Sequence, residues 1–98
     1  MNTEFIKKCV ENIVGHDQCS DQYEIACFAL ARAISSGHRD VLRQLVNNGP
    51  VWDGDICSKS HRDDLMDWGL ASRACVKGEQ GFTVANYRGW DVCKRIAS

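Results

Sequence analysis

Apolar residues recur at helical spacing through the first two thirds of the chain and at alternate positions afterwards. Phe5, Ile6, Cys9, Val10 and Ile13 fall on one side of a helix predicted over 3–14, because residues three and four apart stack on the same face. Thr3 is suited to cap that helix, and Glu4 suits the positive end of its dipole. The polar run GHDQCSDQ (15–22) breaks it. A second helix is predicted from there to about Ser35, capped by Ser20 or Asp21, with Asp21 and Glu24 spaced as a capping box. Its body, YEIACFALARAI (23–34), is apolar almost all round. Such a helix is either central to a core or half of a subunit interface.

SSGHRD (35–40) ends the second helix and opens a third, whose stripe is Val41, Leu42, Leu45 and Val46. NNGP closes it with glycine followed by proline. Asp53 is placed to cap a short helix, GDICSK. Ser60 is placed to cap another, HRDDLMDW, with Asp63 as reciprocal partner and Gly69 as the left-handed residue that ends it. The period then changes to two. In LASRACVKG (70–78), Leu70, Ser72, Ala74 and Val76 share one face and Arg73, Cys75 and Lys77 the other. GEQG (78–81) reads as a turn and FTVA (82–85) as the returning strand of a hairpin. Asn86 caps a last helix, YRGWDVCKRI, with Val92 and Ile96 facing inward.

This order over 38–97 resembles the winged helix-turn-helix family. The likeness is carried by LMDWGL (65–70), the end of a recognition helix running into a wing strand, by GEQG at a wing tip, and by NYRGWDV (86–92) after the wing. The stretch DGDICSKSHRDDLMDWGLASRACVKGEQGF (53–82) also resembles small proteins of phages and prophages. The resemblance implies a mainly α chain with a small antiparallel β-hairpin: a winged helix-turn-helix with two additional N-terminal helices. Residues 1–98 would form one domain. Within it, 1–36 would be a helical pair and candidate homodimerisation platform, and 38–97 the winged-helix core.

A winged helix implies a small regulatory protein whose partner is double-stranded DNA. The helix over 60–68 would enter the major groove, anchored inward by Leu65 and Leu70. Lys59, Ser60, His61, Arg62, Arg73, Lys77 and Arg88 are the candidate nucleic-acid contacts, since phosphates and base edges call mainly for donors. Asp63, Asp64 and Asp67 on the same helix, and Glu79 at the tip, repel phosphate. They support a second use of the scaffold, binding a protein partner through Asp63, Asp64, Asp67 and Trp90.

Charge changes this picture little. The net charge is -1, with residues 1–58 holding five basic and eight acidic side chains and residues 59–98 seven and five. The basic excess lies in the winged half and is slight, whereas nucleic-acid binders usually show a strong one. The apolar run around Ile25–Ala33 is interrupted by Arg32 and is too short to span a bilayer. The N-terminus lacks the basic segment of a secretion signal, so a cytoplasmic chain is expected.

Other chemistry finds less support. Of six cysteines, Cys9, Cys27 and Cys93 occupy apolar helical positions, as reduced thiols do. Cys9, His16 and Cys19 are near one another in sequence but lack the tight pair spacing of zinc ligands. No phosphate loop, nucleophile elbow or cofactor motif accompanies His38, His61 and Cys57, so binding without catalysis is expected. The tryptophans Trp52 and Trp68 are expected to fill gaps between hairpin and helices, and Trp90 to point toward a partner.

Overall fold

The computed structural model describes residues 3–96; residues 1, 2, 97 and 98, the ends of the expected 1–98 domain, lie outside the described residues. The elements follow in the order α1 (Thr3–Gly15), α2 (Asp21–Ala33), α3 (Ser36–Asn48), β1 (Val51–Trp52), a 3-10 turn (Asp53–Asp55), α4 (Lys59–Asp67), β2 (Ala71–Val76), β3 (Glu79–Ala85) and α5 (Tyr87–Ile96). The chain is thus mainly helical, with one small antiparallel sheet of strand order β1-β3-β2.

Helix α2 lies at the centre, packed against α1 on one side and α5 on the other. Tyr23, Ala26, Cys27, Leu30 and Ala31 of α2 are buried, in one cluster with Ile6 and Ile13 of α1, Leu42 and Leu45 of α3, Leu65 of α4 and Val92 of α5. Ser20 caps α2, its Oγ accepting from the Tyr23 N–H at 3.2 Å. Glu24 does not complete a capping box: its carboxylate lies 2.7 Å from the Arg95 guanidinium, where it ties α2 to α5. Beside it, the buried Tyr23 hydroxyl donates to Asp91 Oδ2 at 2.6 Å, and Gln18 donates to the same oxygen at 2.7 Å. All six cysteines are free thiols, and burial pushes that of Cys27 up to about 11.

Three local expectations are corrected by the structure. The hairpin gains a third strand, because Val51 pairs with Thr83 and Trp52 with Phe82; two residues are too few to show a period. The expected helix over 54–59 is reduced to one 3-10 turn. Gln44 of α3 holds that loop open by donating to the Asp55 carbonyl at 2.6 Å and accepting from the Cys57 N–H at 3.1 Å. Helix α4 starts at Lys59 with Ser58 in the cap position, so Ser60 is already helical. The Ser58 hydroxyl pairs with His61 Nδ1 at 2.7 Å instead of capping.

The end of α4 matches its sequence. Gly69 adopts φ 75, the Gly69 N–H donates to the Met66 carbonyl and the Leu70 N–H to that of Leu65. This is a Schellman ending, with the buried Leu65–Leu70 pair as its apolar clasp. The hairpin turn sits earlier than expected, at Lys77–Gly78, where both residues take positive φ (52 and 81), as a two-residue hairpin connection of right-handed strands demands. Residues 79–81 therefore belong to β3, and the register shifts between Ala74 and Val76.

Candidate interaction surface

Asp53 organises the surface between α4 and the sheet. Its carboxylate accepts from Arg62 Nη1 of α4 at 2.8 Å, from Arg73 Nη1 of β2 at 2.6 Å and from Thr83 Oγ1 of β3 at 3.4 Å. The hydrogen bond from the Arg73 guanidinium is the main reason its pKa is held below the usual carboxylate range. Arg62 also donates from Nε to Asp63 at 2.9 Å. Its side chain is only 7% exposed, so a residue expected to face outward is buried, with its charge spent inside the protein. An arginine stem long enough to cover apolar surface while its head reaches a carboxylate explains how this happens on a helix face that also carries Leu65.

The other candidate contacts divide. Lys59, Ser60 and Lys77 are exposed. Arg73 is half exposed but ion-paired with Asp53. His61 is half-buried, edge-on to His38 at 4.4 Å between centroids, and seated over Gly37, where a Cβ would collide with its ring. Arg88 stands apart from Arg62 and Arg73: its guanidinium lies over the Tyr87 ring at 5.1 Å, close to Gly69 at the other end of α4 from Lys59. Among the residues read as a protein-binding set, Asp63 and Asp67 are exposed and so is Trp90. Asp64 is partly engaged: its side chain is 46% exposed, and its Oδ2 accepts from His38 Nε2 at 2.8 Å.

His38 itself is 2% exposed and contacts Trp68 at 4.8 Å between ring centroids. Because a carboxylate only accepts, its Nε2 carries the hydrogen toward Asp64, and its Nδ1 faces the Ser35 hydroxyl at 2.7 Å. Ser35, His38 and Asp64 are therefore linked in the manner of a nucleophile relay. Ser35 Oγ also accepts from the His38 N–H as the N-cap of α3, which gives the linkage a fold role: it ties the start of α3 to the middle of α4. His38 and His61 do meet, as their sequence positions allowed, while the Cys57 backbone is held by Gln44.

Sequence reasoning read Asp53 only as a cap and missed it as the hub of two arginines, because both reach it only in the folded chain. It also missed how Trp52 is seated. Trp52, Phe82 and Ala74 are in register on one sheet face. The indole packs edge-on to Phe82 at 5.4 Å and lies against Gly54 and Gly81, leaving it 47% exposed. Of the two tryptophans expected to fill gaps, only Trp68 packs against the core. Among the described residues no group of three or more His, Cys, Asp or Glu could hold a metal ion, and no helix is long and apolar enough to cross a membrane. No family model, curated protein or solved structure matches this chain.

Proposed function

We propose that the chain is a winged-helix binding module whose α4 and sheet engage a protein partner carrying basic side chains. The winged-helix reading is supported by the succession α3, β1, turn, α4, β2, β3, which sets a hairpin directly after one helix with an outward face. One observation favours a protein partner over a nucleic acid: Asp53 binds both Arg62 and Arg73. Asp53 and Asp63 together balance those two arginines, which leaves the exposed Asp67 on α4 and Glu79 on β3 beside the hairpin tip. Exposed carboxylates in that position repel a phosphate backbone and attract cations.

Duplex DNA is the second reading, carried by the exposed Lys59 and Ser60 at the start of α4 and Lys77 at the hairpin tip. One titration separates the two, using fluorescent mixed-sequence duplex DNA and a fluorescent Arg/Lys-rich peptide of mixed sequence at low and moderate salt. The expected outcome is binding of the peptide, weakened at least tenfold by the Asp63→Lys/Asp67→Lys pair, and none of the duplex at low salt. Duplex binding that falls by about one power of salt concentration per phosphate contact, and that Lys59→Ala and Lys77→Ala weaken, would overturn the protein reading.

A further inference from the structure

Helix α2 satisfies the core with one face and leaves an apolar face outside. Ile25 is 67% exposed and Phe28 36%. Ile25 and Ala29 lie one turn apart beside a groove of about 280 Å³ between α1 and α2, whose walls include Phe5, Lys8 and Asn12. Gln22 and Arg32 stand at the two ends of this strip, with Asp21 next to Gln22. Neither Asp21 nor Arg32 is spent on an ion pair among the described residues.

We infer that this face binds a second copy of the chain, α2 against α2 in antiparallel orientation about a two-fold axis at the level of Cys27. The sequence of the strip supports this occupant, because a two-fold contact must be complementary to itself. Antiparallel pairing centred there sets Ile25 of one copy against Ala29 of the other, so a large side chain meets a small one at both symmetric positions. The same pairing sets Gln22 against Arg32 of the second copy and brings Asp21 within reach of that guanidinium, so opposite charges meet at both ends. Parallel pairing would instead stack Arg32 on Arg32 and Asp21 on Asp21. Ile25 enters the groove beside α1 of the second copy, which removes an exposed β-branched side chain from water. This assembly does not depend on what α4 and the sheet bind.

Sedimentation velocity of the full chain over a concentration series tests it, with circular dichroism as the check on folding. The expected result is a dimer that Ile25→Asp converts to a folded monomer, since Ile25 takes no part in the core. Arg32→Asp and Asp21→Arg are each expected to raise the dissociation constant tenfold or more. The double variant Asp21→Arg/Arg32→Asp restores opposite charges across the axis and is expected to return dimerisation to near the wild-type level. A wild-type chain that stays monomeric at about 100 µM, weaker than an affinity of roughly 5–6 kcal/mol, overturns the inference. So does a dimer indifferent to Ile25→Asp, or one that the double variant fails to restore.

Discussion

At the scale of single residues, Asp53 decides how the charges of this protein are distributed. Read along the chain, Arg62 and Arg73 are two free cations eleven positions apart. Folded, both converge on one carboxylate. Replacing that carboxylate strands Arg62, whose buried guanidinium would keep only the exposed Asp63, and leaving a buried charge without its partner is destabilising. Asp53→Asn is therefore expected to lower the thermal midpoint at neutral pH. The pH dependence follows from the lowered pKa of Asp53 in the fold. Such a group contributes fully above its unfolded-state pKa, and the contribution is lost as pH falls through the lower folded-state value. Melting curves followed by circular dichroism from neutral pH into acid should thus show the gap between wild type and Asp53→Asn closing below the ordinary carboxylate range. A constant gap would mean that packing, and not ionisation, makes the difference. The position of Asp53 was legible in the sequence, but its role was not, because both partners reach it from elements distant in sequence.

At the scale of elements, the corner from α4 into β2 and the start of α5 form one joint. The Asn86 side chain accepts from the Gly89 N–H at 3.1 Å, capping α5, and donates to the Gly69 carbonyl at 2.7 Å. The Asn86 N–H donates in turn to the Leu70 carbonyl at 3.1 Å. This close approach of α5 to the first residues after α4 is possible because position 89 has no side chain; a Cβ there would run into the Leu70 carbonyl oxygen. Gly89→Ala is expected to cost about 1–3 kcal/mol, the range for forcing extra atoms into a packed site. Gly15→Ala, where an added Cβ meets nothing within 4 Å, is expected to be neutral or stabilising by up to about 1 kcal/mol. Urea unfolding of the two variants checks both. The Schellman end of α4 and the Asn86 cap were readable because capping chemistry is local. The start of α4 was misplaced because a second serine stands at position 58, and it takes the cap position while its hydroxyl pairs with His61.

At the scale of the whole molecule, the N-terminal pair of helices and the rest share one core. Ile6 and Leu30 belong to the same buried cluster as Leu65 and Val92, and Tyr23 and Glu24 bond to Asp91 and Arg95 of α5. A chain beginning at His38 would expose the α5 surface that α2 covers, so the fragment 38–98 is expected to lose cooperative unfolding; circular dichroism melting would check this. Periodicity and caps determined by themselves that the chain holds helices over most of its length, then two antiparallel strands and a last helix. These are preferences of neighbouring residues, with a period or a cap that any short window displays. Tertiary structure alone decided that Val51 and Trp52 form a third strand, that α2 keeps one apolar face outside, and that Arg62 turns inward. Each depends on which distant groups arrive beside it: a strand edge for Val51, the limited surfaces of α1 and α5 for α2, and the single carboxylate of Asp53 for Arg62.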